Sequence, residues 1–260
     1  MQELPVLFMS HGSPMNIIED NSFTRSVSRL GEKFVKPTAI MVISAHWLTK
    51  GTQVSCMTNP RTIYDFYGFP QELYQIKYPC LGAPKQAEAV IQAAGGTKIT
   101  CDLEWGIDHA AWSVLKYLYP LADVPVFEMS LDILKSPQEH YNLAKELAPL
   151  RKEGILIMAS GNLVHNLRLA KFEHTYDEPY DWAVEADQQM KELLQQGDHA
   201  GLIRYEGLKA SRLAIPTSEH YLPMLYAIAL QKDGEELTFT CDDIQNGSVS
   251  MRSFVIGDWQ

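Results

Sequence analysis

Five histidines in this sequence stand where short apolar runs give way to turns or helices: His11, His46, His109, His165 and His220. His11 precedes Gly12-Ser13-Pro14, a tight turn, and His46 precedes Trp47. His109 follows Asp108, a natural helix N-cap, and His165 lies four residues beyond Gly161. His220 sits in Thr217-Ser218-Glu219-His220-Tyr221, just ahead of an apolar helical stretch. Imidazole is the commonest protein ligand for divalent transition metals, and it titrates near neutral pH. Two or three imidazoles with at most one carboxylate, leaving positions open, make a reactive metal site. A single buried histidine is more often structural. Five on turns around one sheet point to a histidine-ligated metalloenzyme. Their wide separation excludes a zinc-finger spacing. The other three, His140, His174 and His199, lie in polar or charged stretches and read as exposed and without a role.

The elements that must position these residues alternate between strand and helix. Apolar runs at 4–9, 39–44, 124–129 and 154–159 read as buried strands. Helical patterns fall at 23–34, 84–94, 110–119, 137–151, 180–196 and 222–231. The tail, 237–240 and 249–256, reads as antiparallel strands. Such alternation predicts a single three-layer α/β domain over 1–260, its mostly parallel or mixed central sheet covered by helices on both faces. In such sheets ligands bind beyond the carboxyl ends of strands, where His11 and His46 fall.

Composition narrows the function. The 260 residues include 22 Lys+Arg against 32 Asp+Glu, a net charge of −10. An acidic chain without a basic run is a poor nucleic-acid binder and carries no polybasic membrane anchor. No apolar run approaches a membrane span, and the first residues lack a signal-peptide pattern. Cys56, Cys80, Cys101 and Cys241 form no CxxC pair, so reduced thiols in a cytoplasmic protein are expected. Gly12-Ser13-Pro14 is no phosphate loop, and Ser160-Gly161-Asn162 is no nucleophile elbow. No GxGxxG follows a strand, which disfavours a nicotinamide or flavin. The aromatic run 64–70 reads equally as a pocket lining or as a loop packed on the surface.

Taken together, six motifs resemble the class III, LigB-type extradiol ring-cleavage dioxygenases, and within them the 4,5-DOPA dioxygenase extradiol branch. They are Ser10-His11-Gly12-Ser13-Pro14, Ser44-Ala45-His46-Trp47, Tyr64-Asp65-Phe66-Tyr67-Gly68-Phe69-Pro70, Gly106-Ile107-Asp108-His109, Ser160-Gly161-Asn162-Leu163-Val164-His165-Asn166-Leu167 and Pro216-Thr217-Ser218-Glu219-His220-Tyr221-Leu222-Pro223. The resemblance covers nearly the whole chain in order. It implies one non-haem divalent metal per chain, Fe(II) for catalysis, with Zn(II) expected as found. His11, His46 and His220 match the ligand positions. Better-known members use a glutamate third, so Glu219 is the alternative to His220. His165 matches the acid–base histidine and a candidate fourth ligand. His109 matches a second pocket histidine that assists substrate or O₂, and Tyr221 is expected beside the substrate.

The implied reaction is extradiol opening of a DOPA-like catechol by O₂. The metal gathers both reactants, and a neutral His165 takes a phenolic proton. Zinc has no accessible redox change, so a zinc form binds catechol without cleaving it. Two other readings compete: a zinc-dependent hydrolase, and a metal- or peptide-binding relative without dioxygenase activity.

Overall fold

Alternation along the first strand divides the molecule into two cores. In β1 (Val6–Ser10) Val6 and Phe8 join one apolar cluster while Leu7 and Met9 join the other, and none of the four is exposed. β2 (Ala39–Thr49) does the same with Met41 and Ile43 against Ile40 and Val42. β6 (Ile155–Gly161) follows suit with Ile157 and Ala159 against Leu156 and Met158. Strands buried on both faces carry apolar residues at every position, which is why they read as continuous runs. The computed structural model describes residues 3–173, 175, 176 and 178–259.

The remaining strands are β3 (Thr52–Ser55), β4 (Ile99–Asp102), β5 (Val126–Asp132), β7 (Leu237–Cys241), β8 (Ile244–Gln245), β9 (Val249–Ser250) and β10 (Ser253–Ile256). Eight of the ten form one mixed sheet in the order β4-β3-β5-β2-β6-β1-β10-β7. β1 and β2 both run parallel to β6, which lies between them. β10 and β7 add on antiparallel, as the tail predicts.

On one face pack α1 (Ser22–Gly31) and α3 (His109–Leu118). On the other pack α2 (Pro84–Ala93), α4 (Pro137–Glu146), α5 (Asp181–Gln196), the short α6 (His199–Ile203) and α7 (Ser211–Ala214), and α8 (Leu222–Ala229). Helices on both sides of one sheet make the three-layer α/β architecture expected. Among the described residues no helix is long and apolar enough to cross a membrane.

Local chemistry sets the boundaries. α1 opens on a reciprocal Asn21–Thr24 cap and α4 on a Ser136–Glu139 capping box followed by Pro137. The helix expected over 137–151 ends instead at Glu146. Pro149 has no N–H to continue the ladder, and a 3₁₀ turn, Ala148–Glu153, completes the stretch.

Three expectations are corrected. His140, read as exposed, is fully buried on the inner face of α4, its Nδ1 2.8 Å from the Tyr226 hydroxyl of α8. His199 is half-buried, between Tyr141 and Gln231. His174 lies outside the described residues. Cys56 and Cys101 are joined in a disulfide, so the expectation of reduced thiols fails at this pair, while Cys80 and Cys241 remain free. The parallel pairing of β3 with β4, neither expected, brings that pair together across 45 residues.

Candidate metal centre

Because β1, β2 and β6 point the same way, their carboxyl ends share one edge of the sheet, and the five histidines meet there. His11 leaves β1 at once. Its backbone turn needs Gly12 at φ +59, and a Cβ there would stand 2.6 Å from the Met251 sulfur. Ser10 is fastened to β10 by its N–H to Ser253 Oγ and its hydroxyl to the Arg252 carbonyl.

His46 rides a distortion in β2. Ile43 pairs with Met129 of β5, yet Leu48 pairs with Leu131, so the residues between bulge out of register. Bulges commonly re-aim a side chain beside a functional site. The His46 N–H donates to Ser44 Oγ at 3.1 Å, which braces the bulge.

His109 is the first residue of α3, capped by Asp108, whose side chain accepts from Ala111 N–H. His220 precedes α8. Its carbonyl accepts from the Asn162 N–H at 2.8 Å, at the end of β6. Gly161 makes that approach possible, since a Cβ there would sit 2.1 Å from the same carbonyl oxygen. His165 is held by its N–H to the Ala214 carbonyl and a bridge to Val249.

The rings interlock closely. Centroids of His46 and His109 are 4.3 Å apart, of His46 and His220 5.1 Å, of His11 and His46 5.0 Å, and of His11 and His220 5.3 Å. His165 stacks on His220 at 3.6 Å. Candidate ligand atoms of His11, His46 and His109 lie within 4.8 Å of one another, as do those of His165, Glu219 and His220. All five predicted histidines therefore share one site, and His109 stands nearer to the expected ligands than a distant pocket residue would.

Hydrogen-bond partners assign the tautomer of three of these rings. Ser160 Oγ gives its own proton to the Ala110 carbonyl at 2.6 Å, so at 3.1 Å it accepts from His11 Nδ1–H. His46 Nδ1 lies 2.6 Å from Asp65 Oδ2, and His109 Nδ1 lies 2.9 Å from Asp65 Oδ1. His220 Nδ1 lies 3.2 Å from Glu219 Oε1. His11, His109 and His220 then carry a proton on Nδ1 and leave Nε2 to accept, while His46 meets Asp65 at ion-pair distance, out of line for a hydrogen bond.

Nε2 of His46 and Nε2 of His11 face each other at 3.2 Å. Two nitrogens at that distance need either a proton or a metal ion between them. Nitrogens about 2.1 Å from a common ion stand roughly 3.0–3.4 Å apart at octahedral to tetrahedral angles. The donor set and the spacing fit a divalent metal.

Electrostatics divide the cluster. Burial, then the neighbouring imidazoles, lowers His11 well below the usual histidine range. Burial lowers His220 to about 4 and, with its neighbours' charge, His165 to about 2; both are neutral at pH 7. Burial works against charge on His46 too, but Asp65, Asp108 and Glu219 outweigh it and raise that group. Burial opposes ionisation of Asp65, and the two histidine contacts overcome it.

Sequence reasoning missed Asp65, which was visible only as part of an aromatic loop. It also missed the buried pair behind the site. Glu128 accepts the Asp108 N–H at 2.8 Å and the Trp105 indole N–H at 2.9 Å, and burial with Asp108 alongside raises it well above the carboxylate range. Tyr221 needs correction. Expected beside the substrate, it is completely enclosed, and its hydroxyl donates to the Leu202 carbonyl at 2.8 Å, leaving no surface for a ligand. Most of the aromatic run packs on itself and on Trp112, with Phe66 edge-on to His109 at 5.4 Å. A cavity of about 710 Å³ opens beside Glu219, lined also by Arg212, Thr217 and Ser218.

Comparison with known proteins points the same way. Residues 5–247 match the family described as the catalytic LigB subunit of aromatic ring-opening dioxygenase. A protein of Escherichia coli (strain K12) named 4,5-DOPA dioxygenase extradiol is 44% identical over 258 residues, covering 98% of this chain and 95% of its own. One of the same name from Portulaca grandiflora is 36% identical, covering 95% and 93%. A crystal structure of an uncharacterized Escherichia coli K12 protein superposes with a TM-score of 0.85 at 38% identity, covering 98% of this chain and all of that one. The chain belongs to the LigB family of aromatic ring-opening dioxygenases, in its 4,5-DOPA extradiol branch.

Proposed function

We propose that this chain, acting as one catalytic domain, opens the ring of a DOPA-like catechol outside its two hydroxyls, using O₂ and one non-haem divalent metal. Family membership and the names of its relatives support the reaction class. The observation that supports the metal centre is the convergence of His11 and His46, their Nε2 atoms 3.2 Å apart, with the His220 ring 5.3 Å from that of His11. His11, His46 and His220 would hold the metal. When bound, Fe(II) supplies chelation of the catechol oxygens and activation of O₂.

The protein residues do the rest. His165, stacked on His220 at the rim of the cluster, accepts the phenolic proton on its ring nitrogen. His109, its Nδ1–H tied to Asp65, presents Nε2 toward the reacting oxygens. Glu219 backs His220 and accepts from Thr217 Oγ1 at 2.7 Å, a placement that supports His220 over Glu219 as third ligand.

Anaerobic reconstitution with Fe(II), followed by a screen of catechols for a yellow ring-fission product, tests the proposal. Turnover with iron and none with zinc is expected. Hydrolysis of esters or amides by the zinc form, without ring cleavage by the iron form, would overturn it.

A further inference from the structure

Asp65 is placed by local backbone pairing that does not involve the histidines. The Ile63 N–H donates to the Ile107 carbonyl, and the Ile107 N–H donates to the Arg61 carbonyl, both at 2.8 Å. Gly106 lets the two segments meet, since a Cβ there would lie 2.1 Å from the Arg61 carbonyl oxygen. The loop is thus stitched to the segment that leads into α3. From that anchor the carboxylate reaches two histidines on different elements. Oδ1 takes both the backbone N–H of His109, at 3.0 Å, and its ring Nδ1, at 2.9 Å. Oδ2 lies 2.6 Å from Nδ1 of His46 on β2. Each oxygen faces one histidine, Oδ1 through hydrogen bonds and Oδ2 through an ion-pair contact.

We propose that Asp65 is a positioning residue that sets the tautomer and aim of His46 and His109 together, so that one carboxylate fixes both a metal ligand and the pocket histidine beside it. This rests on the metal centre proposed above. A carboxylate behind a ligating imidazole orients the ring and raises its basicity. Here the same carboxylate does so twice, and the two histidines cannot be tuned independently.

The two-oxygen geometry makes Asp65→Asn a sharp test. Asparagine is the same size but has one acceptor oxygen. If that oxygen serves His109, the NH₂ group meets the Nδ1–H of His46, donor against donor. His46 must then rotate or move its proton to Nε2, and either change spoils the lone pair aimed at the metal. Zinc affinity is read by competition with a chromophoric chelator, independently of ring cleavage. Asp65→Asn is expected to weaken it about 10–100-fold, the usual effect of removing an outer partner of a ligand, with Asp65→Glu recovering part of the loss.

Wild-type affinity in Asp65→Asn would overturn the proposal. Zinc-loaded wild-type protein with ¹⁵N-labelled histidine gives a readout that needs no variant: two Nδ1–H signals shifted downfield by a carboxylate, assigned to His46 and His109. Nε2–H on either ring overturns the proposal. Wild-type protein that binds no zinc overturns the metal centre itself and the Asp65 proposal with it, and so is told apart from failure of Asp65 alone.

Discussion

His165 and His220 lie face to face, ring centroids 3.6 Å apart and planes 9° from parallel. An imidazole binds a metal in its own plane, at about 2.1 Å. Because the two ring planes are stacked and nearly parallel, a metal held by His220 would not be shared with His165. His165 in this arrangement is free for proton transfer. His165→Gln is therefore expected to keep Fe(II) and bind catechol, while turnover falls by about 10²–10⁴-fold. Metal content, catechol titration and turnover on one preparation check this. A metal-free protein would assign His165 to the ligand set.

The carboxylate beside His220 gives a second prediction. Glu219 contacts Nδ1 of His220, and burial is overcome by that contact and the Thr217 hydroxyl, which lower Glu219 to about 2. Replacing His11, His46 or His220 by Ala should strip most of the metal, because each removes a nitrogen donor. Glu219→Ala should only weaken binding, about 10–100-fold. Metal content after anaerobic gel filtration decides. Loss in Glu219→Ala with retention in His220→Ala reverses the ligand assignment.

Gly161 is expected to tolerate no side chain. A methyl group there meets the His220 carbonyl at 2.1 Å and forces β6 away from the segment that leads into α8. Gly161→Ala should cost about 1–3 kcal/mol of stability, the range for overpacking, and impair metal retention. Gly95→Ala, where nothing lies within 4 Å, is the control and should change neither. Denaturant unfolding of both variants, with metal analysis, tests the pair.

His140 predicts an acid sensitivity away from the metal. Burial, then the Lys135 charge, lowers it to about 4 from an ordinary 6.5. The unfolded chain therefore takes up a proton that the folded one refuses. The stability that neutral His140 preserves is complete above pH 6.5 and drains away as pH falls toward 4, by on the order of 3 kcal/mol. His140→Gln keeps a partner for Tyr226 but cannot protonate. Urea unfolding at pH 7, 5.5 and 4.5 should show a shallower decline than wild type, and parallel curves would refute the assignment.

Much of this was legible in the sequence. The central strands announce themselves because both faces are buried, and His11, His46 and His165 because each ends or follows such a strand. What escaped depends on partners across space. Asp65 matters only because His46 and His109 arrive on either side of it. β3 and β4 are short and partly polar, and nothing local marks Cys56 as the partner of Cys101. Tyr221 adjoins His220 in sequence, but its hydroxyl is taken by Leu202, inside the core. His140 sits in a polar stretch whose few inward positions are set by how α4 meets α8.

The place of β1 in the sheet bears on how the enzyme is born. Its neighbours are β6 and β10, and the hydrogen bond from Ser10 to Ser253 spans 243 residues. His11, the first of the five histidines to leave the ribosome, thus waits on a strand whose partners emerge far later. A nascent chain cannot assemble the cluster piecemeal, and such non-local pairing is slow to form. A metal centre built on His11 is therefore expected to fill only after synthesis, once the last strand of the sheet has docked.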